Sequence, residues 1–346
     1  MKYLCPLWLV GLLMFASIQV SAEEQTLRVL AWPGYADSDL VADFEKRYKV
    51  KVEVTLVGSD EVLRSKMLEH HGGDFDVIAA NTAEVHYYVD QGLLQPLRPD
   101  RITNTAYQLP RFRDYAQIPD ILIDGHVYAI PYAWSDMGLI YDRKQFRQPP
   151  DSITSMWDPR FQGKVLAFNT SNHNFSLASL SLGGDPFWIN ADDFPRVSEQ
   201  LIALRRNVLT FYSLPEEAAE LFRTHAVALL FANYGRQQLL QLRDAGADVG
   251  YVIPREGALA WLDCWAVSRG ARDTALAHAW INFMLEPQVS RTLSERQGLS
   301  NTLEEPKDIS PASRLIWLRP VEDDQRRAAL WQRIVSGERP PLRETR

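Results

Sequence analysis

Apolar residues change their spacing several times along the first hundred positions, and each change marks an element. Leu27 to Trp32 (LRVLAW) is a short apolar run that Pro33-Gly34 breaks, which predicts a strand and a turn. Asp37 or Ser38 caps the next segment, where Leu40, Val41, Phe44 and Tyr48 recur at helical spacing. Val50 to Val57 alternates, with Val50, Val52, Val54 and Leu56 on one face, so a half-buried strand is expected. Ser59 opens another helix through Met67 and Leu68, which Gly72-Gly73 stops. Phe75 to Ala80 is apolar enough for a strand buried on both faces. Asn81 then stands as an N-cap with Glu84 three residues on, a capping-box spacing. Strand and helix alternate with short connections, which predicts an α/β fold with a mainly parallel sheet.

Residues 96–125 are rich in Pro, Arg and Asp and carry little periodicity. Val127–Trp134, Gly138–Asp142, Lys164–Phe168, Ala226–Asn233, Asp248–Pro254 and Leu259–Ser268 read as strands. A short helix is expected around Trp157. Longer ones are expected over Phe175–Leu182, 192–207 and 214–225, the last with Ser213 and Glu216 as a capping box. From residue 271 the chain reads as helical in several pieces. No repeat, low-complexity tract or long linker divides it, so two lobes would interleave rather than follow one another.

Lys2, the apolar Leu4–Phe15 and then Val20-Ser21-Ala22 before Glu23-Glu24 have the pattern of a secretory signal peptide, residues 1–22. An uncleaved anchor is the alternative, since the apolar region approaches the shortest membrane span. Cleavage after Ala22 removes Cys5 and leaves Cys264 alone, so no intrachain disulfide forms. The 346 residues carry 37 Lys+Arg against 44 Asp+Glu, a net charge of -7, which argues against a nucleic-acid partner and suits a cationic ligand.

Motifs for common chemistries are absent. The sequence has no G-x-x-x-x-G-K-[ST] loop, no G-x-G-x-x-G and no G-x-S-x-G elbow. It has no H-E-x-x-H or paired C-x-x-C, its seven histidines are scattered, and no metal or cofactor is expected. His70-His71, adjacent at a helix end, reads as a solvated pair rather than a metal site. A secreted hydrolase remains the reading from another class, supported only by scattered Asp, Glu and His.

The order of LRVLAWPGY, FEKRYKVKVEV, GSDEVLRSKM, FDVIAANTAEV, QGLLQPL, YAIPYAWSDMGLIYD and WLDCWAVS resembles the bacterial periplasmic spermidine/putrescine-binding proteins, from about Leu27 to about Asn301. These are the solute-binding proteins of ABC importers. The resemblance implies two interleaved α/β lobes with a ligand cleft at the hinge, and a monomeric binding protein rather than an enzyme. Residues 23–135 and 263–287 would form one lobe, and 136–262 and 288–346 the other. Crossings would lie near Trp134–Asp136, Trp261–Asp263 and residue 287.

A polyamine carries ammonium groups spaced by methylenes, so its site needs carboxylates for the charges and aromatic walls for the chain between them. Trp32 and Tyr35 keep the W-x-x-Y that the resemblance implies, and Trp261 and Asp263 keep the W-x-D, wall and amine acceptor on one side of a strand. Departures accompany these matches. Pro33 replaces a hydroxyl residue, Asn81 a serine, Ala83 an aromatic ring and Leu299 a tyrosine. Thr170 and His173 stand where acids usually hold amino groups, and Phe231 where a tryptophan wall is common. Glu84 and Asp136 would compensate if they face the cleft. Glu84 has a capping role as its alternative, and Asp136 a hinge-fixing one. Two fates follow for a periplasmic protein of this kind. One is delivery of a polyamine or related small amine to an inner-membrane ABC permease. The other is service as a norspermidine/spermidine-type sensor subunit of a membrane-bound c-di-GMP or kinase signalling protein, linked to biofilm control.

Overall fold

A computed structural model describes residues 25–306 and 314–338, so the expected signal peptide, residues 1–22, lies outside the described residues. The chain begins with β1 (Thr26–Ala31), α1 (Ser38–Tyr48), β2 (Lys51–Leu56), α2 (Asp60–Leu68), β3 (Val77–Asn81) and α3 (Thr82–Asp90). A region of short turns follows, containing α4 (Pro110–Arg113) and the hairpin β4 (Leu122–Ile123) and β5 (His126–Val127). Next come β6 (Ala129–Met137), β7 (Leu139–Asp142), β8 (Val165–Phe168), α5 (Ser171–Ser181), α6 (Phe194–Asn207), β9 (Val208–Tyr212) and α7 (Pro215–Thr224). The rest is β10 (Leu229–Phe231), α8 (Arg236–Asp244), β11 (Val249–Val252), β12 (Ala258–Val267), α9 (Thr274–Met284), α10 (Pro287–Gln297), β13 (Ser300–Asn301), β14 (Leu315–Trp317) and α11 (Asp324–Ser336).

Two sheets organise the molecule. The first runs β13-β6-β12-β3-β1-β2 with β14 on the edge of β12, and the second runs β11-β7-β10-β8-β9. Each is covered on both faces. Val29, Ala31, Val77 and Ala79 point into one core of the first sheet, while Leu30, Ile78 and Ala80 point into the other. Leu139, Val165 and Leu229 likewise oppose Ile140, Leu166 and Leu230 in the second. Helices on both sides account for the nearly unbroken apolar runs of these strands. Pairing of β1 with β2 and β3 is parallel, as their βαβ connections require. Both sheets are nonetheless mixed, because β12 runs antiparallel to β3 and β6, and β7 antiparallel to β10 and β11.

The chain passes between the sheets on a two-strand ribbon. Trp134 of β6 packs in a first-sheet core and Met137 in a second-sheet core. On β12, Leu259 belongs to the second and Leu262 to the first, while Trp261 touches cores of both. The two strands stay paired from Leu259↔Met137 to Ala266↔Ala129. A third change of sheet occurs later than residue 287. Val289 and Leu299 lie in a first-sheet core and Asn301 pairs with Ala133, so α10 and β13 stay with the first sheet. β14 then runs beside Ala258–Ala260, and Leu318 and α11, through Trp331 and Ile334, join the second.

Two local expectations fail for identifiable reasons. Helix α5 begins at Ser171, four residues before the apolar segment, so the polar Ser171–Asn174 is its first turn. At α7 the N-cap position is Leu214, with no side-chain cap, and it is Glu217 that accepts the backbone N–H of Ser213 at 2.7 Å.

Candidate ligand-binding cleft

The turn after β1 sets the first part of the site. Tyr35 N–H donates to the Trp32 carbonyl at 3.2 Å, and Gly34 adopts φ +84°. Proline then glycine with positive φ fits the two central positions of a type II turn. Pro33 therefore gives up no turn hydrogen bond, and Trp32 and Tyr35 emerge on either side of it. A Cβ at Gly34 would lie 2.5 Å from the Gln297 side chain, so the glycine is also needed for close approach.

Tyr35 is buried and donates its hydroxyl to Asp263 Oδ2 at 2.6 Å. Asp263 sits on β12 opposite Asn81 of β3 and Ala133 of β6, where the ladder shifts register before Cys264. It is 7% exposed, and burial pushes its carboxyl up to about 7 against the opposing pull of the Tyr35 bond. Burial and the neighbouring carboxylate push the Tyr35 hydroxyl well above its ordinary value, so it remains a donor.

A second acid stands at the start of α2. Ser59 caps this helix through the Val62 N–H, which leaves Asp60 in the first turn, where the helix N-terminus favours an anion. Asn81 holds it by donating Nδ2 to Asp60 Oδ1 at 3.1 Å. The oxygen of that amide, Oδ1, accepts the Glu84 N–H at 3.1 Å, which makes Asn81 the cap of α3. Burial and the charges of Glu84 and Asp263 raise Asp60 well above the usual carboxylate range. Glu84 itself is taken by Arg64, which grips it with Nε and Nη2 at 2.8 and 2.6 Å. Burial still holds the Glu84 carboxyl above its ordinary value.

From the second sheet come neutral groups. His173, in the first turn of α5, shares a 2.7 Å hydrogen bond between Nδ1 and Asn233 Oδ1. Burial lowers its pKa below the ordinary value, so the ring is uncharged at neutral pH. The Asn233 carbonyl accepts the Trp261 indole N–H at 3.3 Å. Asp60 and Glu61 act electrostatically on Tyr234 and His173 across the gap between the sheets. A cavity of about 390 Å³ opens here, lined by Asp60, Asn81, Glu84, His173 and Asp324 among others. Thr170 occupies the N-cap position of α5, half-buried, with its carbonyl accepting Asn174 Nδ2 at 2.6 Å.

Hydrogen bonds, register and electrostatic proximity thus connect Tyr35, Asn81 and Asp263 with Trp261 and His173, and Trp32 borders them with its buried indole N–H unpartnered. Two expected residues lie apart. Phe231, 1% exposed, packs in the core of the second sheet. Asp136 is fully buried on β6 and accepts the Tyr251 hydroxyl, which also accepts the Gly138 N–H at 2.9 Å; this fixes the β6–β7 crossing. Asp60, Arg64 and Asn233 were not anticipated. Asp60 is masked by its role in an acidic first helical turn, and Asn233 by lying just past an apolar strand. Among the described residues no group of three or more His, Cys, Asp or Glu side chains is placed to hold a metal, and no helix is long and apolar enough to cross a membrane.

Known proteins share this architecture. The putrescine-binding periplasmic protein of Escherichia coli (strain K12) is 26% identical over a 367-residue alignment, covering 95% of this chain and 98% of that protein. The spermidine/putrescine-binding periplasmic protein of the same organism is 26% identical over 285 residues, covering 80% and 77%. The spermidine/putrescine ABC transporter substrate-binding protein of Streptococcus pneumoniae, solved with calcium and HEPES, superposes with a TM-score of 0.73 at 20% identity, covering 90% of this chain and 98% of that one. The fold is that of two-lobed periplasmic binding proteins. With residues 39–312 matching the family described as bacterial extracellular solute-binding protein, the chain belongs to that family.

Proposed function

We propose that this protein captures a polyamine or related small amine in the cleft between its lobes, in the periplasm, and presents it to an ABC importer. The observation that carries the reading is Asp263. Its carboxylate is buried with no cationic side chain bonded to it among the described residues, is oriented by Tyr35, and has Trp261 two residues away on the same strand. An ammonium group placed there offsets the cost of that buried charge. Trp32 and Trp261 supply walls for the methylenes and aromatic faces for the cation, worth roughly 0.5–2 kcal/mol. Asp60 gives a second ammonium its partner, while Glu84 is already neutralised by Arg64.

The names of the relatives point to the same ligand class and to ABC transport. Binding and hinge closure need no bond-making step, in keeping with a binding protein rather than an enzyme. We take one lobe as residues 25–135 and 262–306 and the other as 136–261 and 318–338, from the core each segment joins. The test is a thermal-shift screen with putrescine, cadaverine, spermidine, norspermidine and spermine, with amino acids and sugars as controls. A ligand at 100 times its Kd stabilises by about 2.7 kcal/mol. A flat response to every amine, in protein shown to be folded, sinks the amine reading.

A further inference from the structure

We infer that Arg64 and Asp324 form an electrostatic latch that sets how far the ligand-free cleft is closed. The inference rests on the two-lobed closure described above and not on which amine is bound. Arg64 lies on α2, whose Leu63 and Met67 are fully buried in a first-sheet core, so its backbone is fixed to that lobe. Two of its donors are committed to Glu84 on α3 of the same lobe, and its guanidinium lies 4.6 Å from the centre of the Tyr87 ring. The remaining nitrogen, Nη1, donates to Asp324 Oδ2 at 2.9 Å.

Asp324 belongs to the other lobe. It is the first residue of α11, which Asp323 caps and which Trp331 and Ile334 anchor in a second-sheet core. The buried Arg327 pairs with Glu322 at 2.6 Å just ahead of it. The other Asp324 oxygen, Oδ1, accepts Asn172 Nδ2 at 2.6 Å from α5. Both carboxylate oxygens are thus directed, one into its own lobe and one across the cleft.

The guanidinium fork explains why this pair can work as a latch. Glu84 fixes the plane of the group through two parallel bonds, which leaves one donor aimed outward at no further ordering cost. Opening the lobes breaks the single Nη1–Oδ2 bond and leaves the Arg64–Glu84 pair intact. The side chains of Arg64 and Asp324 are 30% and 43% exposed, so water reaches both when they part. The pair is therefore weak enough to be reversible, on the scale of partly exposed ion pairs. Neither residue bonds Asp263 or Tyr35, and because both line the cavity the latch is read from the ligand-free open–closed balance rather than from affinity alone.

Spin labels on cysteines replacing Lys46 on α1 and Asp244 on α8, both exposed, report the distance between lobes; native Cys264 is buried and stays unlabelled. In ligand-free protein, Asp324→Ala is expected to move the distance distribution toward the open form, Asp324→Glu to restore it, and 0.5 M salt to shrink the difference. Dissociation of spermidine or putrescine, measured by stopped flow, is expected to quicken about two- to fivefold in Asp324→Ala. A loss of melting temperature alone is what a merely structural residue would give. Identical ligand-free distance distributions for the parent and Asp324→Ala overturn the latch, even if polyamine binds as proposed. If no polyamine binds, the ligand-free distances still decide the question.

Discussion

Replacing Asp263 with asparagine should move ligand affinity and ligand-free stability in opposite directions. Asparagine keeps the shape and an oxygen for the Tyr35 hydroxyl, but removes the charge. In the folded protein burial raises the Asp263 carboxyl from its ordinary 3.8 to about 7. A carboxyl that holds its proton more tightly when folded destabilises the fold once ionised. Ligand-free stability should then drain as pH climbs from about 4 to about 7, and the full cost is present above that. The rise corresponds to ~4 kcal/mol, a ceiling because the asparagine amide must also find partners in the cleft. Asp60 adds to the same trend, since the Asp263 charge helps to raise it. Asp263→Asn should therefore melt higher than the parent at pH 8 by scanning calorimetry, with the gap closing at pH 4. Its affinity for spermidine should fall by about 2–5 kcal/mol, or roughly 30- to 4000-fold in Kd, because an ammonium loses its buried partner. A variant that melts lower at pH 8, or binds spermidine as well as the parent in calorimetric titration, refutes the placement of the ligand charge at Asp263.

Amine binding should weaken on acidification from pH 8 to 5.5, because Asp263 and Asp60 take up protons in competition with the ammonium groups; calorimetric titration at both values checks this, and a flat profile removes these acids from the site. Phe231→Ala should lower stability by about 3–5 kcal/mol as a core truncation while leaving the Kd of the folded fraction unchanged, read by urea denaturation and titration together.

The first half of the fold was legible because each element carries its own punctuation. Ser59 and Asn81 cap helices where the sequence places caps, and Val29 to Ala31 and Val77 to Ala80 are apolar on both faces because helices cover both. Edge strands were harder. β9 was missed because Val208–Tyr212 continues directly from α6, and Leu56, assigned inward by alternation, is 54% exposed at the end of edge strand β2. The site divides in the same way. The Trp32–Tyr35 spacing follows from a local turn and Asp263 from strand alternation, so both could be read. Glu84 and Asp136 depended on what lies across the fold from them. Arg64 comes from 20 positions away and Tyr251 from 115, and no local pattern announces either partner.

How the charges divide between the lobes orders the events of capture. Asp60, Asp263 and Asn81, with Trp32 and Tyr35, are all carried by the lobe built on the first sheet. The second contributes His173, which burial keeps neutral, the amide of Asn233, and Asp324, whose charge Arg64 already engages. On the function proposed above, an amine entering an open cleft would meet most of its electrostatic attraction on one wall and load there before the other arrives. The second wall adds hydrogen bonds and excludes water, which strengthens the ammonium–carboxylate contacts already made. A protonated His173 would oppose that step, since it would bring a positive charge toward a cation. Lowering the His173 pKa by burial thus serves closure, while Asp263 and Asp60 hold the charge partner that loaded before the cleft shuts. Trp261 lies on the ribbon that joins the lobes and touches cores of both, so a ligand that packs on it, as proposed above, would couple its own contact to rotation of the hinge.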